Sequence, residues 1–201
     1  SELSGLQSVI CFTKADLLDA PGEAAEALKK QVEELRSYYE RIGYSVFLTS
    51  IRDGTGIEPL LSALEGRITV IAGQSGVGKS SLLNRLIPGL TLETNEISEK
   101  LGRGKHTTRH VELFRIGRQG WLADTPGFSQ LELPDVEPER LSEAFPEIAE
   151  ASAGCKFRGC LHIKEPGCKV REAVEAGEIN GERYENYADF VTELRERKRR
   201  Y

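Results

Sequence analysis

Short apolar runs alternate, along the first two thirds of the chain, with stretches whose apolar residues recur every three or four positions. Ser8–Phe12, Val46–Thr49 and Ile68–Ala72 are brief apolar runs and predict buried strands. Pro21-Gly22 breaks the chain after the first of them. Leu28, Val32, Leu35, Tyr39 and Ile42 then mark one face of a helix closed by Gly43. Ile57, Leu60, Leu61 and Leu64 mark a shorter helix ended by Gly66, and Ser81–Ile87 opens another. Val111–Ile116 and Trp121–Ala123 predict two paired strands around Gly117–Gly120. Strands alternating with helices predict an α/β fold, a mostly parallel sheet with helices on both faces. After about Pro134 the pattern changes to helices and a Cys/His loop. It ends in a helix whose apolar stripe is Tyr184, Tyr187, Ala188, Val191 and Leu194. The expected division is an α/β domain over residues 1–134 and a small helical domain over 135–201. No repeat or low-complexity segment is visible.

Composition narrows the class. At 201 residues, 39% hydrophobic and 29% charged, the chain matches an ordinary soluble protein. It has no apolar run of eighteen residues and no signal segment, so no membrane is expected and a cytoplasmic setting is. The four Cys are too few for a disulfide framework. The absence of Met predicts a processed or cloned piece of something longer. A net charge of −5 argues against nucleic-acid binding by bulk charge. Two local patches stand against that: Lys100, Arg103, Lys105 and Arg109 in one loop, and Arg195, Arg197, Lys198, Arg199 and Arg200 at the C-terminus. Either alone reads as a solvated surface.

The most specific motif is Gly73-Gln74-Ser75-Gly76-Val77-Gly78-Lys79-Ser80, followed by Ser81. It fits G-x-x-x-x-G-K-[ST] between a predicted strand and a predicted helix, the context a P-loop requires. Its glycines let backbone N–H groups close around phosphates, and the helix N-terminus adds positive potential. Lys79 would reach the β and γ phosphates, and Ser80 would offer its hydroxyl to Mg²⁺. Thr13-Lys14-Ala15-Asp16, after the first strand, resembles the guanine-reading Asn-Lys-x-Asp motif of GTPases. There the Asp accepts hydrogen bonds from guanine N1 and N2, and the Lys stem lies along the base. Thr13 stands where Asn is usual, which implies one weaker bond. Ser50, after the second strand, would open the second base-contacting loop.

Asp124-Thr125-Pro126-Gly127 matches the GTPase D-x-x-G motif, although Asp and Pro-Gly also favour plain turns. In the functional role Asp124 would hold Mg²⁺ through water and the Gly127 N–H would sense the γ-phosphate. Between the two motifs lies Gly102-Arg103-Gly104-Lys105-His106-Thr107-Thr108-Arg109, a basic, non-periodic loop expected to be mobile without nucleotide. A Thr here would complete the Mg²⁺ shell, as in switch loops. Thr108 is the candidate and Thr107 its rival. The motif order is unusual, because the guanine-reading segment precedes the P-loop. The same sheet can arise if the chain is cut and rejoined elsewhere, a circular permutation.

Cys155-x4-Cys160-x-His162-x5-Cys168 places three thiols and one imidazole within fourteen residues. That set suits tetrahedral, structural zinc in a segment with few apolar residues. Cys11, alone in a predicted strand, reads as core.

Together the permuted order, the G-R-G-K-H-T-T loop, D-T-P-G and C-x4-C-x-H-x5-C resemble the RsgA (YjeQ/YloQ) family of bacterial ribosome-biogenesis GTPases, over nearly the whole chain. The resemblance implies GTP hydrolysis stimulated by the small ribosomal subunit, and a role in that subunit's late maturation. It also implies an N-terminal OB-fold ahead of the GTPase domain, expected to be missing from this piece. Phe128 falls where many GTPases place the Gln that orients the attacking water. The family's alternative maps to His106, whose imidazole can hold or polarise a water. The expectation is therefore a monomeric GTPase whose sheet domain hydrolyses GTP while its zinc segment and basic tail touch rRNA. Two other readings remain open: an ATP-using P-loop enzyme, and a zinc-stapled RNA-binding module with a merely structural nucleotide site.

Overall fold

The computed structural model describes residues 2–87, 89–90, 112–124 and 136–199. They form two compact units, each with its own core. One unit takes Val9–Glu40 and Ser45–Leu131; the other takes Ser1–Ser8, Arg41–Tyr44 and Glu132–Tyr201.

In the first unit, β1 (Val9–Phe12) lies parallel to β2 (Ser45–Leu48), with Val9 beside Ser45 and Phe12 beside Leu48. Two strands that run the same way need a crossover between them. Helix α1 (Glu23–Arg41) supplies it. A second set of strands joins β3 (Ile68–Thr69), β5 (Gly120–Asp124) and β4 (Glu112–Ile116) in that spatial order. β3 and β5 are parallel, while β4 and β5 form an antiparallel hairpin with Phe114 opposite Leu122. Among the described residues the hydrogen-bonded ladders are thus one parallel pair and one mixed trio.

Two helices cover these strands. In α2 (Ile57–Leu64), Ile57, Leu60 and Leu64 are buried, as their spacing predicts. In α3 (Lys79–Leu86), Leu82 and Leu86 are buried. They share one cluster with Ile87, Ile116 and Leu122, and Cys11 packs against it as a core residue.

The sequence pattern misplaces some details. The third strand covers two residues rather than Ile68–Ala72, because the chain leaves the ladder before the Gly-rich turn. α1 begins at Glu23, and its buried residues are Ala25 and Tyr38, whereas Leu28 stays 39% exposed. A Leu on a long charged helix is not obliged to face inward, and periodicity cannot tell which of two adjacent stripes is covered.

The second unit is helical, with α4 (Pro146–Ser152), α5 (Lys169–Glu175) and α6 (Gly181–Arg199) preceded by a 3-10 helix over Pro138–Ala144. Tyr187, Val191 and Leu194 of α6 are buried along the predicted stripe. They meet Leu141, Phe145, Ile148, Val170 and Ala173, and the Phe145 and Tyr187 rings pack edge to face at 5.3 Å. Cys160 and Cys168 belong to this core, so the Cys/His loop is built into it.

Candidate functional site

Three loops at strand ends meet in the first unit. The P-loop glycines Gly73, Gly76 and Gly78 have φ of 156°, 81° and 96°. The last two lie where a side chain would be strained, so the motif's glycines are what let the turn form. Gly78 caps α3, whose first residue is Lys79. The Lys79 ammonium donates to the carbonyls of Gly73 at 2.5 Å and Gln74 at 2.7 Å, which holds its stem across the loop. Ser80, in the first turn, is buried, while Gly73–Val77 are exposed. The arrangement presents the start of a helix and one ammonium to an anion.

The loop after β1 is tied directly to this turn. The Thr13 hydroxyl donates to the Val77 carbonyl at 2.5 Å, and the Lys14 ammonium donates to the Gly76 carbonyl at 3.1 Å. Lys14 adopts φ 61°, a left-handed conformation that sequence does not announce for a Lys. A 3-10 helix, Ala15–Asp19, follows and carries Asp16.

The loop after β2 supports Asp16 from below. Thr49 and Ser50 are buried, and the Ser50 hydroxyl donates to Asp16 Oδ1 at 2.8 Å. The same Ser50 oxygen accepts the Arg52 N–H at 3.2 Å, so one buried hydroxyl orders both its own loop and the carboxylate. The Arg52 guanidinium lies 3.8 Å from Asp16 Oδ2. Thr49 ties the two loops again: its N–H donates to the Phe12 carbonyl at 2.8 Å and its carbonyl accepts from Ala15 at 3.0 Å. Gly56 closes the second loop. A Cβ there would sit 1.9 Å from the Leu48 carbonyl oxygen, at φ 70°.

Asp124 ends β5, so the D-x-x-G motif starts at a strand terminus. The Asp124 side chain lies outside the described residues, and so do Thr125–Phe128, His106, Thr107, Thr108 and the patch of Lys100, Arg103, Lys105 and Arg109. Among the described residues, Thr13, Lys14, Asp16, Ser50 and Gly73–Ser81 therefore stand on three consecutive or facing loops.

In the second unit, Cys155, Cys160, His162 and Cys168 bring their ligand atoms within 4.8 Å of one another. Tetrahedral zinc, with bonds of about 2.3 Å to sulfur and about 2.0 Å to nitrogen, sets neighbouring sulfurs about 3.8 Å apart and sulfur and nitrogen about 3.5 Å apart. Here Cys155 Sγ and Cys168 Sγ are 3.9 Å apart, and His162 Nδ1 lies 3.6 Å from Cys155 Sγ and 3.3 Å from Cys168 Sγ. Burial pushes the Cys160 thiol up to about 12 and raises that of Cys168, and burial also holds the His162 imidazole below its ordinary value. Neutral imidazole is ready to ligate, whereas the Cys160 and Cys168 thiols need a cation to become thiolates. The donor set fits a closed four-ligand zinc site.

The loop's supports escaped the motif pattern. Glu165, the one acidic residue between Cys155 and Cys168, accepts the N–H groups of Leu161 at 3.1 Å, Ile163 at 2.9 Å and Lys164 at 3.0 Å. Burial alone would raise its carboxyl, but the backbone N–H groups around it outweigh burial and hold it below its ordinary value. From α6, the Tyr184 hydroxyl donates to the His162 carbonyl at 2.7 Å and the Tyr187 hydroxyl to the Leu161 carbonyl at 3.2 Å. These bonds hold His162 at φ 60°. An acid alone inside the Cys/His loop and two aromatic hydroxyls in α6 are the signals that could have pointed there.

The basic tail is partly neutralised. Arg197 pairs with Glu193 at 2.6 Å, and Lys198 pairs with Glu137. Among the described residues, no helix is long and apolar enough to cross a membrane.

The family model described as RsgA GTPase matches residues 1–134. Two curated relatives, each called small ribosomal subunit biogenesis GTPase RsgA, come from Bacillus velezensis and Bacillus subtilis strain 168. They are 54% and 51% identical over 200 residues, all of this chain to the nearest percent. The chain spans 66% and 65% of their lengths, just under two thirds. Among solved structures, YjeQ from Thermotoga maritima matches with a TM-score of 0.76 at 41% identity, covering 96% of this chain and 62% of that one. YloQ, described as a circularly permuted GTPase, matches with a TM-score of 0.75 at 43% identity, covering 100% of this chain and 61% of that one.

Proposed function

The chain belongs to the RsgA GTPase family, and from that premise we propose that it binds and hydrolyses GTP as a switch in late maturation of the small ribosomal subunit, which stimulates it. The observation that carries the nucleotide half is the pair of bonds from Thr13 and Lys14 to the P-loop carbonyls. They hold the loop bearing Asp16 against the loop that would cradle phosphates, so one nucleotide can span both. Asp16, oriented by Ser50, reads guanine N1 and N2. Gly73–Gly78 surround the phosphates with N–H groups, joined by Ser81. Lys79 exchanges its carbonyl partners for β- and γ-phosphate oxygens. Ser80, Asp124 and Thr108, with Thr107 as the rival, hold Mg²⁺, which neutralises charge on the phosphates. Gly127 senses the γ-phosphate, and His106 positions the attacking water in place of the Gln that Phe128 displaces.

In this reading residues 1–134 are the permuted GTPase domain and residues 135–201 a helical domain stapled by structural zinc on Cys155, Cys160, His162 and Cys168. The second domain meets rRNA of the small subunit. The protein works as a cytoplasmic monomer. The relatives' names support the subunit assignment, and the Asp16–Ser50 geometry supports guanine over adenine. GTP hydrolysis by this chain, measured alone and with purified small ribosomal subunits and with ATP as control, tests it. Strong, GTP-selective stimulation is expected. Equal use of ATP would remove the guanine assignment, and unstimulated hydrolysis would remove the subunit as activator of this chain.

A further inference from the structure

Between the first two Cys of the metal loop the chain makes a tip that the fold does not use. Lys156, Phe157 and Arg158 are all exposed, and Phe157 keeps 44% of its surface open. The tip is short and anchored on both sides. Cys155 precedes it within the metal set, and buried Cys160 follows it in the core of the unit. Gly159, at φ 72°, turns the chain back where another residue would be strained. The Lys156 ammonium sits over the Phe157 ring, 5.6 Å from its centroid. An exposed aromatic ring with one cation over it and a second next to it in the sequence, on a braced turn, is easy to order against a partner.

The chemistry of the three side chains narrows that partner. A flat ring offers a stacking face to any planar base, and two flanking cations can meet the phosphates on either side of it. The cation over one face leaves the ring polarised for a base on the other. The C-terminal basic run is a weaker candidate for the same task, since Arg197 and Lys198 already hold carboxylates. Duplex RNA buries its base faces, so the ring needs an unpaired nucleotide.

Resting on the small-subunit reading above, we propose that Lys156–Phe157–Arg158 is where this unit grips an unpaired nucleotide of the small-subunit rRNA. The base stacks on Phe157, and Lys156 and Arg158 meet the adjoining phosphates.

The test compares the full chain with its Phe157→Ala, Phe157→Trp and Lys156→Ala/Arg158→Ala variants. Binding is measured to purified small ribosomal subunits and to a protein-free transcript of the small-subunit rRNA. Zinc content and melting temperature of each variant check that the fold is kept. Without the stacked base, Phe157→Ala should bind about tenfold more weakly to both probes, while Phe157→Trp retains affinity. The double variant should lower the slope of log affinity against log salt by roughly 0.7 for each phosphate that is no longer neutralised. Wild-type affinity in Phe157→Ala would overturn the proposal and leave the subunit reading intact. Weaker binding to the whole subunit but not to the bare transcript would also overturn it, placing a ribosomal protein at the tip. A wild-type chain that binds neither probe would overturn the subunit reading and this rRNA grip with it.

Discussion

Thr13 shows how much one side chain can carry. Its hydroxyl reaches the Val77 carbonyl at 2.5 Å, so the residue that replaces the usual Asn still ties the base-reading loop to the P-loop. Spacing alone marks the position but not the tie, because the acceptor is a backbone carbonyl 64 residues away. Asp16 and Ser50 differ in this respect. Both follow strand ends, where ligand loops gather, and the structure joins them at 2.8 Å. Thr13→Val keeps the shape and removes the hydroxyl. A hydrogen bond of this type contributes about 1 kcal/mol, so GTP affinity should fall about fivefold, while Thr13→Asn should stay close to wild type. Fluorescent GTP-analogue titration measures it, and unchanged affinity in Thr13→Val would show that the tie does not position the base-reading loop.

Helices with a covered stripe were readable from spacing, and turns held by long-range approach were not. α2 and α6 bury the residues that their periodicity marks, since each presents one face to a single core. α1 misled because most of its length carries charge and its buried residues, Ala25 and Tyr38, sit beside the predicted stripe rather than in it. β3 misled because an apolar run continues past the last ladder bond. Gly56 is the sharpest case of information absent from local sequence. It precedes α2 at φ 70° with its missing Cβ 1.9 Å from the Leu48 carbonyl oxygen, so both conformation and space demand glycine. Gly56→Ala must move the β2 end away from α2. Backbone strain and the clash together should cost about 3 kcal/mol or more, read as a lower denaturant midpoint at unchanged slope. A loss under about 0.5 kcal/mol would mean that the junction yields easily.

At the scale of the whole molecule, the motif order was legible along the chain itself, and the chain belongs to the RsgA GTPase family, with a Cys3His segment after its last described strand. What sequence did not reveal is that the Cys residues are part of a core rather than a surface staple. Cys160 and Cys168 pack with Ile148, Val170 and Tyr187, and Tyr184 and Tyr187 of α6 hold the backbone on either side of the candidate ligand His162. Metal loss should therefore act on more than the loop. Without a cation the loop keeps the raised thiols of Cys160 and Cys168 in its core, and its grip on α6 loses the geometry set by His162. The other unit closes a separate cluster around Leu60, Leu82 and Leu122. Chelation is expected to speed amide exchange across α4, α5 and α6 well before β1, β2 and α2. A loss of about 3 kcal/mol in so small a unit lowers its melting point by roughly 12–24 °C. Reloading zinc near neutral pH should release at least two protons, from Cys160 and Cys168, because both thiols are protonated there until metal binds. Calorimetry in buffers of different ionisation heat counts them. Exchange that rises equally in both units would mean that the metal holds the entire chain together, and a proton count near zero would mean that these thiols are not the ligands.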